Sequence, residues 1–279
     1  MASPEAVVPA AGPTGRLRRT AWLYRRCLGA HVRSTLEYQA DFWIMSVSAV
    51  LAQGVGIVFL RAIFSSIPQI NGWKFWDIAM IYALTVLSEG VSVLFAQGAW
   101  TMAVTVNLGG FDALLLRPFS PLLQVLSSEV GMNGLGNVVL GGALLGASVA
   151  HVDVAWTPAT IALFVVLVLS AALVKVGLNT ATNAAAFWIK TPWSMFAFSM
   201  HTFGELARFP ITIYGIGVRV ALSLVLPYAF MSYFPAQAVL SRGTAHWLGL
   251  LTPLAAVWCI ALGAIVFRRG MLRYESSGN

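Results

Sequence analysis

The side chains able to do chemistry in this sequence are few, and the most unusual are charges embedded in apolar surroundings. Glu89 and Lys175 each interrupt a long stretch rich in Leu, Val and Ala, and Glu205 and Arg208 stand three residues apart in a third. An ionisable group inside a bilayer is costly and faces either an opposite charge or a wet cavity. Glu89 and Lys175 have opposite signs and fall at similar depth in their segments, so a cross-helix pair is the expected arrangement. The alternative is that one of them lines a transport path and meets a charged cargo. Glu205 and Arg208, at i and i+3, can satisfy each other on one helix. Asn133 with Asn137, and Asn179 with Asn183, sit four apart and share a helical face. Such pairs ordinarily hydrogen-bond between membrane helices, with the lining of a path as the functional alternative.

Several chemistries are absent. There is no Gly-rich phosphate loop of the Walker A type, so ATP binding and hydrolysis are not expected in this chain. No HExxH, CxxC or nucleophile-elbow GxSxG occurs either. The nearest approach to an intramembrane hydrolase is Ser148 beside His151, but a serine nucleophile needs its base on a facing helix within hydrogen-bond reach. Cys27 and Cys259 show no metal or disulfide spacing and are expected to be reduced. No metal site is expected.

The elements that must position these groups follow from composition. The chain has 279 residues, of which 58% are hydrophobic and 10% charged, with a mean hydropathy of +0.79. A soluble domain holds about 25% charged residues, so this is a membrane protein. At about 20 residues per crossing there is room for six or seven helices and no second, soluble catalytic domain. The net charge of +7 is not a nucleic-acid signal, because most basic residues sit in the two tails.

Six crossings are expected, at about 42–66, 75–98, 128–150, 157–185, 193–212 and 247–267. Pro210 interrupts the fifth by removing a donor. The apolar stretch 222–240 contains Pro227 and Pro235 among aromatics, which predicts a broken, re-entrant or interfacial element. Gly142 and Gly146, at GxxxG spacing, predict close packing of the third span. Basic residues in short loops place both termini in the cytoplasm, with Lys74 and Arg242 outside. Residues 1–15, rich in Ala, Pro and Gly, read as a disordered tail, and 16–279 as one transmembrane domain. Residues 17–36 place Leu17, Ala21, Tyr24, Leu28, Val32 and Leu36 at helical spacing, with arginines on the other faces. That pattern predicts an elbow helix in the inner headgroup plane.

The segment from Asn107 to Gln124 reads NLGGFDALLLRPFSPLLQ. Gly109 and Gly110 allow a sharp break, Asp112 favours a helix start, and Pro118 and Pro121 stop a short helix ending at Arg117. Leu114, Leu115, Leu116 and Phe119 are too apolar for water and must meet lipid headgroups or another protein.

The series Gly110, Asp112, Leu115, Arg117, Pro118, Pro121 and Gln124 resembles the signature of the six-span permeases of type-2 ATP-binding-cassette (ABC) exporters. The likeness continues through Phe187 and Trp188, Arg208 and Pro210, and Pro227, Tyr233, Pro235 and Ala236. It implies an all-α membrane protein with an N-terminal elbow helix, a cytoplasmic coupling helix between spans 2 and 3, and re-entrant outer helices between spans 5 and 6. Residues Gly110 to Pro121 are then the coupling element for a separate ATPase, and Pro227, Tyr233 and Pro235 belong to an outer gate. The implied partners are two copies of an ABC ATPase, which carry the ATP and Mg, and a second permease, either a copy of this chain or a paralogue. Membrane lipid is expected around it, no cofactor within it and no nucleic acid. The implied role is export of an amphipathic drug, antibiotic or lipid-like compound across a bacterial inner membrane. The other readings are an autonomous ion-coupled carrier or channel using Glu89 and Lys175 as a relay, and, further off, the hydrolase.

Overall fold

The computed structural model describes residues 13–37, 39–117, 119–191, 194–241 and 246–275, and among these the chain is all-helical. Helix α1 (Pro13–Glu37) leads into α2 (Gln39–Ser66) and α3 (Phe75–Ala96). The short helices α4 (Met102–Asn107), α5 (Phe111–Leu115) and α6 (Pro121–Leu126) come next. Then follow α7 (Asn133–His151), α8 (Pro158–Asn183), α9 (Met195–Gly204), α10 (Ile216–Val220), α11 (Tyr233–Leu240) and α12 (Thr252–Met271). The expected tail falls mostly on residues 1–12, outside the described residues, and α1 begins at Pro13.

Among the described residues, five helical stretches are long and apolar enough to cross a membrane: Gln39–Ser66, Phe75–Asn107, Asn133–His151, Pro158–Phe187 and His246–Met271. The expected crossing at 193–212 is not continuous. Helix α9 tightens into a 3₁₀ turn over Glu205–Arg208, and Phe209 is extended (φ −120°, ψ 157°) ahead of Pro210. A residue before proline is driven out of the helical region by the ring's clash with it. The carbonyls freed by the break are taken up from outside the helix. Thr85 and Ser232 donate to Ala207 O at 3.3 and 2.6 Å, and Tyr214 donates to Leu206 O at 2.9 Å. Away from water every such group needs a partner, so these hydroxyls make the break tolerable. Residues 216–240 are likewise divided, into α10, a π-helical turn over Ala221–Val225, a 3₁₀ turn over Tyr228–Met231 and α11. Pro227 lies at a joint. Pro235 sits in the first turn of α11, where a missing N–H costs nothing.

Helix α3 is the hub, with Ile78 to Leu84 almost wholly buried. Its neighbours approach at glycines. A Cβ at Gly90 would lie 2.8 Å from Val138 N on α7, and one at Gly177 on α8 would lie 2.4 Å from the Cys259 carbonyl carbon on α12. Gly142 and Gly146 have nothing within 4 Å of a built Cβ. The close packing of α7 therefore runs through Gly134 and Gly141 on another face, not through the GxxxG pair. By contrast α2 leaves Trp43, Leu51, Val55 and Val58 exposed.

Candidate functional site

Glu89 lies fourteen residues into α3, roughly 21 Å from its Phe75 end, and Lys175 seventeen residues into α8, roughly 25 Å from its Pro158 end. Since α3 and α8 pack together, the two side chains meet, with Lys175 Nζ 2.6 Å from Glu89 Oε2. Lys175 is buried to 2% exposure and Glu89 to 14%. Lys175 Nζ is also 3.0 Å from His201 Nδ1 on α9. An ammonium only donates, so Nδ1 is the acceptor and the imidazole proton sits on Nε2. Nε2 faces Glu205 Oε1 at 3.8 Å, and Glu205 in turn pairs with Arg208 on its own turn.

The chain of polar groups continues past Arg208, whose guanidinium lies 5.5 Å from the centre of the Tyr82 ring. The Tyr82 hydroxyl reaches the backbone and side-chain oxygens of Gln53 on α2 at 3.2 and 3.1 Å. Trp100 stands edge-on to His201 at 4.9 Å, and Lys175 lies 5.6 Å from the Tyr228 ring centre. Two carboxylates and two cations cancel, so the cluster is neutral while His201 is neutral. Mutual pairing offsets the desolvation of each charge, and removing one member would strand another. His201 went unremarked in the sequence, where its available signal is the four-residue spacing to Glu205.

The asparagines divide differently. Asn179 Nδ2 reaches Ser92 Oγ on α3 at 3.4 Å, an interhelical contact. Asn183 instead donates back to Asn179 O at 2.9 Å within α8. Asn137 is buried at 4% exposure and Asn133 half-buried at the start of α7. The Ser148 and His151 constellation is not assembled. Ser148 donates to Leu144 O at 2.8 Å, and His151 stacks on Trp76 at 4.1 Å with Nδ1 on Ala147 O.

At the end of the bundle that carries α1, the turn between α4 and α6 is held from inside. Gly109 takes φ +82°, a left-handed conformation that glycine adopts without penalty, and Gly110 caps α5 in the ordinary helical region. The short helix ends at Leu115, not at Arg117, and Pro121 opens α6 as its first residue rather than stopping α5. Pro118 lies outside the described residues. Phe111 is fully buried, with ring centres of Phe187 at 5.2 Å, Phe267 at 6.1 Å and Tyr274 at 4.9 Å. Leu114 packs on the same cluster. Burial first, and the neighbouring Asp112 carboxylate second, push the Tyr274 hydroxyl up from its ordinary pKa. Gln124 donates from Nε2 to Leu114 O at 3.0 Å and Phe119 O at 2.7 Å, closing the turn, and Asn107 ties it to Thr191 O at 2.9 Å. With the inner face so occupied, Leu115, Leu116 and Arg117 point outward, Leu116 being 87% exposed.

Several membrane-length helices, a paired charge cluster within them and a braced turn with an apolar outer face at one end define a multi-pass membrane protein. Residues 50–278 match the family model described as "ABC-2 family transporter protein", and the chain belongs to that family. It is a permease subunit of an ABC transporter, a family that works with an ABC ATPase. Neither the curated proteins nor the solved structures searched contain a match.

Proposed function

We propose that the chain forms half of the translocation pathway of a bacterial inner-membrane ABC exporter, pairing with a second permease, itself or a paralogue, and with two ATPase subunits that bind ATP and Mg. In this reading the interrupted stretch through α9 and Pro210 is a sixth, broken crossing, α1 is the inner elbow, and both termini are cytoplasmic. The observation that carries it is the outward-facing Leu115, Leu116 and Arg117 on a turn braced by buried Phe111. Exposed leucines on a braced backbone suit a partner's groove. Closure of the ATPase pair would push on Gly110 to Pro121, and the ring cluster of Phe111, Phe187 and Phe267 supplies a stiff connection to the ends of α8 and α12. The outer segment with Pro227, Tyr233 and Pro235 acts as the external gate; Tyr233 is buried, its ring 5.5 Å from that of Trp73. The Glu89–Lys175 pair is structural in this reading, and the apolar crossings fit an amphipathic cargo. Purified permease in vesicles should show ATP-driven transport only when the ATPase is added. Arg117→Glu should reduce ATPase binding at least tenfold while leaving the permease folded. Wild-type docking and transport by that variant, or flux without ATPase, would overturn the reading.

A further inference from the structure

The reading above leaves the arginine face of α1 with no task beyond orientation. Trp22, Arg25, Arg26, Gly29, Ala30 and Arg33 recur at three- and four-residue spacing and line one cleft. Gly29 and Ala30 add no bulk to the lining, and a Cβ at Gly29 would meet nothing within 4 Å. Arg26 lies 4.5 Å from the Trp22 ring centre, and Trp22 is half exposed. The single acidic residue of α1 is Glu37 at its last position, four residues beyond Arg33, so Arg25 and Arg26 have no counter-charge near them on their own helix.

The other side of α1 is fixed to the body. Tyr24 donates to Phe95 O on α3, and burial pushes its pKa up to about 12, so it remains a donor at physiological pH. The next helix, α2, is one of the membrane-length helices and begins at Gln39, which sets α1 at the bilayer boundary. Helix α1 also packs against α6, the far side of the coupling turn, and His31 faces Glu129 just beyond α6.

We propose that this cleft binds the phosphate of an anionic phospholipid of the inner leaflet, and that its occupancy steadies the α6 side of the coupling turn. The guanidiniums supply charge-assisted donors to the phosphate, and Trp22 sits at headgroup level, where indoles concentrate. The inner-leaflet placement rests on the topology proposed above, whereas the phosphate site can be tested on the permease alone.

The test reads the preference for phosphatidylglycerol over phosphatidylcholine retained by purified permease, without ATPase, for two variants that remove equal charge from α1. At about 0.5 M salt, where the attraction of any basic residue to an anionic surface is largely screened, each arginine that hydrogen-bonds the phosphate still contributes about fivefold. Arg25→Gln with Arg26→Gln should therefore lower the preference about 25-fold, while Arg18→Gln with Arg19→Gln should keep it within about threefold. Equal losses in the two variants would mean diffuse attraction and would sink the proposal, as would no preference in the wild type. Displacement of phosphatidylglycerol by equimolar inorganic phosphate would assign the cleft to free phosphate and also overturn it. In vesicles with ATPase, only the first variant should lose stimulation by phosphatidylglycerol. Intact lipid binding alongside absent ATPase coupling would count against the proposed function and leave the cleft standing.

Discussion

The charge cluster between α3, α8 and α9 and the turn between α4 and α6 solve opposite problems. In the first, charges lie within the helix bundle, and each finds an opposite charge within the chain: Glu89 with Lys175 and Glu205 with Arg208, with His201 between the two pairs. In the second, apolar side chains lie at the end of the bundle, and only one side of the turn is satisfied internally. Charges paired within one subunit need no further counter-charge, whereas exposed leucines on a rigid turn leave apolar surface to be covered. On the function proposed above, the difference separates a structural device from a docking device.

The comparison predicts different failures on mutation. The largest effect should come from Lys175→Met, which strands Glu89 in an apolar setting at a cost of about 3–5 kcal/mol. A melting midpoint in detergent should fall sharply, and adding Glu89→Gln should restore most of the loss; a single variant as stable as wild type would show that the pair is not buried in the assembled protein. Next is Leu116→Asp, which should leave the melting midpoint in place but weaken ATPase binding by about 2 kcal/mol, near 30-fold, as at an interface hot spot. Loss of stability without loss of binding would reverse the assignment of the two regions. Gln124→Ala removes the donor to Leu114 O and Phe119 O and should cost about 1–2 kcal/mol. It should loosen protease protection of residues 107–124 before that of the α8–α12 contact.

The smallest effect concerns pH. Burial raises the pKa of the Glu129 carboxyl, against weaker lowering by the Thr101 hydroxyl and His31. A raised carboxyl pKa means that ionisation is disfavoured in the folded state, so wild type loses stability as pH rises through and just above the ordinary carboxylate range. Glu129→Gln should therefore be the more stable protein at neutral pH, by roughly 0.5 kcal/mol or less, and lose that advantage below about pH 4. An advantage that instead grows on acidification would contradict the burial.

Much of this was legible in the sequence. Long apolar stretches identify α2, α3, α7, α8 and α12 because a crossing needs a fixed length of hydrocarbon-compatible chain. The pairing of Glu205 with Arg208 follows from helical spacing. The turn between α4 and α6 was legible as Gly-rich and Pro-bounded, but its helix limits were not, since Pro121 can end one helix or begin the next. Gly142 and Gly146 misled because spacing identifies a shared face without saying which face meets a neighbour. His201 gave little signal, since its spacing to Glu205 is common and only the packing of α8 against α9 brings Lys175 to its other nitrogen.

By itself the sequence determined that this chain lives in a membrane, where its five long apolar helices run and that it has no ATP-binding loop of the Walker type, because those properties depend on local composition and spacing. The tertiary structure alone decided that His201 joins the two charge pairs, which glycines touch a neighbour and which leucines remain outside. Those outcomes depend on how helices far apart in the chain are rotated against one another, and in α7 a rotation of one residue, about 100°, carries the contact from Gly142 to Gly141.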